Sequence, residues 1–132
     1  MRTPAEILRE AKTIALVGAS PKPDRPSHGV MRYLLAQGYD VIPVRPEGCD
    51  EVLGIPCHRS LAEIDRPIDV VDVFRRAEFT PEVAQAAVDV GAKALWLQLE
   101  IVSPESRRIA KAAGLDYVEN ACTAVVHSNE VV

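Results

Sequence analysis

The residues best suited to chemistry lie in one loop. Gly18-Ala19-Ser20-Pro21-Lys22-Pro23-Asp24-Arg25-Pro26-Ser27-His28-Gly29 joins an apolar run to an amphipathic one. Gly18 frees the turn, and the small side chains of Ala19 and Ser20 let a ligand approach the main chain. A helix capped by Ser27 would aim unpaired N–H groups and the positive end of its dipole at the same place. Lys22 and Arg25 add positive charge. His28 at the helix start suits a structural or ligand-contacting role better than that of a general base. Together these are the parts of a phosphate site. The pattern is not Gly-x-Gly-x-x-Gly, and an ordinary strand-to-helix loop shares some of its features.

A second clue stands at Pro43-Val44-Arg45-Pro46, which closes the next apolar run. NAD sites keep Asp or Glu at this point, to accept a hydrogen bond from the ribose 2′-hydroxyl. A cation there favours a ligand with a phosphate on its adenosine ribose. NADP and coenzyme A both carry one.

Other chemistries find less support. His28, His58 and His127 have no spacing suited to a shared metal, so no metal is expected. Asp72 lies in an apolar strand, and a carboxylate there is expected to bond a neighbouring loop. Phe74 and Trp96 read as core or crevice wall. Cys122 could face a ligand thiol, although a buried cysteine is commonly inert. No nucleophile stands beside a base, so catalysis is not expected.

These residues need a scaffold to position them. Thr3-Pro4-Ala5-Glu6 is a capping box opening a short helix to about Lys12. Thr13-Ile14-Ala15-Leu16-Val17 is apolar on both faces, as a parallel strand covered on both sides must be. A helix from Ser27 buries Val30, Met31, Leu34 and Leu35 and ends at Gly38, and Asp40-Val41-Ile42-Pro43-Val44 is the next strand. Residues 46–53 are loop, Ile55-Pro56-Cys57-His58 a short edge strand, and Ser60-Leu61-Ala62-Glu63 a capping box for a helix of barely two turns. Strands follow at 69–74, 93–98 and 116–119. Between them, helices open at Thr80-Pro81-Glu82 and Ser103-Pro104-Glu105. Alternation of this kind specifies one α/β domain with a Rossmann-like, doubly wound parallel sheet in three layers. Right-handed crossovers put the second and third strands on one side of the first and the remainder on the other. The turns at Gly18 and Phe74 then flank the switch point, where open α/β sheets bind ligands.

Bulk properties agree. A chain of 132 residues forms one domain, and its net charge of −4 argues against nucleic acid as a partner. No apolar run is long enough to span a membrane, and the N-terminus lacks a signal peptide's apolar stretch, so a cytoplasmic location is expected. Cys49, Cys57 and Cys122 read as free thiols in that compartment.

Taken as an ordered set, several segments carry a resemblance. They are Val17-Gly18-Ala19-Ser20, Arg25-Pro26-Ser27-His28, Gly38-Tyr39, Pro43-Val44-Arg45-Pro46, Gly54, Ser60-Leu61, Asp69-Val70-Val71-Asp72-Val73-Phe74-Arg75, Gly91-Ala92-Lys93 and Trp96-Leu97-Gln98. From about residue 12 to 122 the chain resembles the small stand-alone CoA-binding proteins, whose fold is similar to the CoA-binding domain of the succinyl-CoA synthetase α subunit. The resemblance implies that coenzyme A, or an acyl-CoA, lies across the switch point. Gly18, Ala19, Ser20 and the helix from Ser27 would meet its phosphates. Arg45 and Pro46 would lie near its adenosine end, and Val73, Phe74, Arg75 and Gln98 would flank it. Similar proteins usually have Gly at the position of Glu100, Asn at that of Arg45, and often Asp-Arg-Cys where this chain has Asn120-Ala121-Cys122. Glu100 is expected to point into the crevice and oppose the ligand phosphates. The expected function is a non-catalytic CoA-binding module, alone, with a protein partner or as a homodimer. An NADP-dependent reductase or redox sensor is the alternative, and an interaction protein with a vestigial pocket is a third class.

Overall fold

The computed structural model describes all 132 residues. In chain order the elements are α1 (Pro4–Glu10), β1 (Thr13–Val17), α2 (Pro26–Ala36), β2 (Asp40–Val44), β3 (Glu51–Val52) and β4 (Ile55–Pro56). They continue as β5 (Val70–Val73), α3 (Thr80–Asp89), β6 (Ala94–Leu97), α4 (Pro104–Ala112), β7 (Asp116–Val118) and α5 (Thr123–Val126). Five of the strands make one parallel sheet in the order β2-β1-β5-β6-β7. The order reverses between β1 and β5, as the expected Rossmann-like winding requires.

Side-chain alternation builds the two helical layers. Along β1, Ile14 and Leu16 pack with Ile7, Leu8, Met31 and Leu34 of α1 and α2. Ala15 and Val17 face the other way, into a core shared with Val83, Ala84 and Ala87 of α3 and Ala110 of α4. β6 splits likewise, with Trp96 on the α1/α2 side and Leu95 and Leu97 on the α3/α4 side. Both faces are dry, which is why these strands read as continuous apolar runs.

Helix starts follow local chemistry. Thr3 and Glu6 form the expected capping box on α1, and Ser103 accepts the Ser106 N–H at the start of α4. Three expectations need correction. α2 begins at Pro26 behind Arg25, and Ser27 lies inside its first turn and makes no cap. Pro26 explains the shift, because its fixed φ suits the first helical position. Beyond Ser60 there is a single 3-10 turn (Leu61–Glu63) in place of a two-turn helix. The Glu63 carboxylate accepts the Arg59 N–H, and Ser60 caps nothing. The third correction concerns the edge. β3 and β4 pair only with each other, as a hairpin. Just beyond it His58 touches β2 through one parallel bridge to Val44.

That hairpin also overturns the free-thiol reading. Its tight turn at Leu53-Gly54 has positive φ at both residues, 51° and 80°, which suits the twist of a two-residue hairpin. The chain folds back so that Cys49 and Cys57 come within 5.6 Å between Cα atoms and form a disulfide. Cys122 is the free cysteine. One further segment carried no sequence expectation. α5 runs into a π-helical turn (His127–Val131), and together they cover the α1/α2 side of the sheet. There the His127 ring sits against Tyr33 and Tyr39, with Nδ1 2.8 Å from the Tyr33 hydroxyl. No helix is long and apolar enough to cross a membrane.

Candidate functional site

A cleft of about 990 Å³ opens at the carboxyl ends of β2, β1, β5 and β6. Its centre is the turn after β1. The Gly18 and Ala19 N–H groups both reach the Val44 carbonyl of β2, and the Phe74 N–H donates to the Val17 carbonyl. These bonds hold the ends of β1, β2 and β5 level. Gly18 has φ +92°, and a Cβ there would lie 2.5 Å from the Phe74 carbonyl oxygen. Glycine is therefore required twice over, by conformation and by space. Ser20 is buried and its hydroxyl accepts the Lys22 N–H, which curls the loop toward the start of α2.

The charge of the lining is unlike that of the chain. Lys22, Arg25, Arg45, Arg75 and Arg76 face the cleft against only Glu47 and Glu100. Arg45 reaches back to the Ala19 carbonyl at 3.4 Å and lies 4.0 Å from the Glu47 carboxylate. Arg75 and Arg76 both approach the Phe79 ring, at 4.9 and 5.9 Å from its centroid. A basic cleft beside the N-terminus of an eleven-residue helix suits an anionic ligand with several phosphates.

Eleven of the thirteen residues singled out from the sequence line this cleft: Gly18, Ala19, Ser20, Lys22, Arg25, Ser27, Arg45, Pro46, Phe74, Arg75 and Gln98. Two stand outside it. Val73 is fully buried in the α3/α4 core and offers only its carbonyl, which accepts the Gln98 N–H. His28 is buried in α2, with Nδ1 3.2 Å from Arg32 one turn along the same helix. His28 is the third residue of α2, and its side chain lies on the buried side of that helix. Sequence reasoning missed Glu47, Arg76 and Phe79. The last two sit in the 3-10 turn region between β5 and α3, where no periodicity marks them.

Beneath the cleft lies a polar cluster. Asp72 of β5 is fully buried and accepts from the Gln98 side-chain amide and from the Thr123 hydroxyl at 2.9 Å. Burial pushes its carboxyl up to about 7, with the two hydrogen bonds pulling the other way. The expected bond to a neighbouring loop is thus made to the end of β6 and the start of α5. Nearby, the Trp96 indole N–H donates to the Ala121 carbonyl at 2.8 Å.

Glu100 keeps a left-handed backbone, φ +70°, and lines the cleft as an exposed side chain. Asn120, itself at φ +54°, accepts the Glu100 N–H on its Oδ1 at 2.7 Å and donates its own N–H to Ile101. The main chain here is held by Asn120, whatever side chain position 100 carries.

Residues 12–128 match the family model described as CoA binding domain. The chain belongs to that family. It is 42% identical over 123 residues to the uncharacterized protein YneT of Bacillus subtilis, covering 93% of this chain and 90% of YneT. A solved structure of a hypothetical protein from Pyrococcus horikoshii OT3 superposes with a TM-score of 0.94 at 43% identity, over 98% of this chain and 90% of that one. A more distant relative is the alpha subunit of an ADP-forming acetate–CoA ligase of Pyrococcus furiosus, 30% identical over 93 residues. That match takes in 67% of this chain and 20% of the subunit. As a CoA-binding domain, the fold places its cleft at the switch point, as the sequence implied.

Proposed function

We propose that this protein binds coenzyme A, or an acyl-CoA, across the cleft and holds it without transforming it. The observation that carries the reading is the five-to-two excess of basic residues around the Gly18 turn, in a chain whose net charge is −4. In this reading the pyrophosphate sits over Gly18, Ala19 and the start of α2, and Arg45 at the end of β2 meets the ribose phosphate. Membership of the CoA-binding domain family supports the choice of ligand. No histidine lines the cleft. The free Cys122 thiol and the Ser20 and Ser27 hydroxyls that do line it have no imidazole in the lining to act as base, which supports a binding role. A ligand of this kind is met in the cytoplasm, which is where the reading places the protein.

Calorimetry and thermal shift with coenzyme A, acetyl-CoA, NADP and NAD test it. Coenzyme A should bind at least about tenfold more tightly than NAD, a gap of roughly 1.4 kcal/mol. At 100 times its dissociation constant it should add about 2.7 kcal/mol of stability. Tighter binding of NADP than of coenzyme A would replace this reading with that of an NADP-dependent reductase. Turnover of acetyl-CoA by the purified protein would overturn the non-catalytic part.

A further inference from the structure

The Gln98 side chain lines the cleft yet is almost wholly buried, with 4% of its surface exposed. Its amide is engaged in a closed ring. One Nε2 hydrogen goes to Asp72 Oδ1 and the other to Thr123 Oγ1 at 3.0 Å, while the Thr123 hydroxyl donates to Asp72 Oδ2. An ionised carboxylate can only accept, so the ring fixes which way round the amide lies. Both donors of Gln98 face inward, and its carbonyl oxygen is left over. That oxygen has no protein partner, and it is not sealed in the core either. The only fully enclosed side-chain nitrogen or oxygen without a partner is His58 Nδ1. Gln98 Oε1 therefore opens onto the cleft.

We infer that Gln98 Oε1 is a fixed hydrogen-bond acceptor that selects a ligand donor group, with Asp72 and Thr123 as the positioning residues that aim it. The identity of that donor rests on the coenzyme A reading. With pyrophosphate over the β1 turn and adenosine toward Arg45 on β2, the other arm of the ligand must run toward β5 and β6. Gln98 follows β6, two strands from β1, about 10 Å away at ordinary strand spacing. The arm reaching that far is pantetheine, which carries two amide N–H groups. An acceptor held in place at this point costs the ligand no reorganisation of the protein. It also gives the cleft a means of telling coenzyme A from nucleotides that share only its adenosine and phosphates.

The test compares coenzyme A with adenosine 3′,5′-bisphosphate, which lacks the arm, by calorimetry at pH 8, where Asp72 is largely ionised. Gln98→Leu should weaken coenzyme A at least tenfold and change the bisphosphate less than twofold. Thr123→Val, which frees one Nε2 hydrogen and lets the amide turn, should weaken coenzyme A several-fold with the bisphosphate again unchanged. In the wild-type protein the two Gln98 side-chain amide protons should exchange slowly with solvent by NMR, and exchange faster in Thr123→Val. Equal losses for both ligands, or no loss for either, would overturn the inference, as would fast exchange of the Gln98 protons in the wild type. Failure of the wild type to bind either ligand overturns the coenzyme A reading and the donor named here. The exchange rates then still decide whether the ring holds the carbonyl outward.

Discussion

The two turns that bound the cleft, after β1 and after β6, solve the same problem with different residues. Each needs a residue at positive φ: Gly18 at +92° and Glu100 at +70°. At Gly18 the space a Cβ would take is filled by the Phe74 carbonyl. At Glu100 the side chain is exposed, and the N–H is held by Asn120. Left-handed backbone is a conformational cost that an ordinary residue can bear, at roughly 1–2 kcal/mol. A collision with backbone two strands' width of hydrogen bonding cannot relieve is another matter. The contrast is between a glycine demanded by packing and a position where φ alone favours glycine. The floors differ as well: the β1 turn stands over Val17 and Val73, the β6 turn beside Asp72, Gln98 and Thr123.

The sharpest way to break the comparison is Gly18→Ala. The added Cβ must move Phe74 and so separate β1 from β5 at the switch point. We expect a loss of about 4 kcal/mol, from left-handed strain and overpacking together. Urea denaturation measures it, and coenzyme A binding should vanish in the folded fraction. A loss below about 1 kcal/mol would mean that the β1 turn is as tolerant as the β6 turn.

The difference in floors predicts a pH dependence. The folded-state value of Asp72 is raised to about 7 from an ordinary 3.8, chiefly by burial. The unfolded chain therefore releases this proton first. Stability from the neutral carboxyl is fully present below the ordinary carboxylate range and is lost as pH rises toward 7. Between pH 5 and pH 8 the loss from this group should be roughly 3 kcal/mol. Asp72→Asn should flatten that part of the profile. A wild-type urea midpoint that rises from pH 5 to pH 8, with the same slope in Asp72→Asn, would show that the floor under β6 is not set by this carboxyl.

The same contrast explains what could be read from the sequence. The β1 turn was legible because its requirements are local: an apolar strand, a glycine and small residues ahead of a helix, although Pro26, which opens α2, was read as the end of the preceding loop. Arg45 was legible because strand ends in doubly wound sheets have positional meaning. The ring beneath Gln98 was not, since its three members lie at 72, 98 and 123 and only the register of β5 with β6 and the fold-back of α5 bring them together. The Cys49–Cys57 disulfide depended on a hairpin turn with Leu53 at positive φ, a conformation that leucine does not announce. His28 differs in another way: its place at the helix start was legible, whereas the burial of its side chain beside Arg32 depends on how α2 packs in the fold.

The smallest expected effect, and the reciprocal of the first, is Glu100→Gly. Releasing a non-glycine residue from φ +70° recovers about 1 kcal/mol. The greater freedom of glycine in the unfolded chain takes back roughly 0.5–1 kcal/mol of it. The Asn120 bond goes to the main-chain N–H and survives the substitution. Stability should therefore change by less than about 1 kcal/mol, against the large loss for Gly18→Ala. The ligand should notice more than the fold does. Glu100 is one of only two carboxylates in a cleft with five cations. At about 8 Å from a ligand phosphate and an effective dielectric near 40, its repulsion is about 1 kcal/mol. Glu100→Gly should then tighten coenzyme A several-fold at low salt, with the gain shrinking as salt shortens the screening length. Calorimetry at two ionic strengths separates this from a conformational effect, because relief of backbone strain would not depend on salt. Unchanged affinity at low salt would remove Glu100 as an electrostatic brake and leave the β6 turn as a matter of conformation alone.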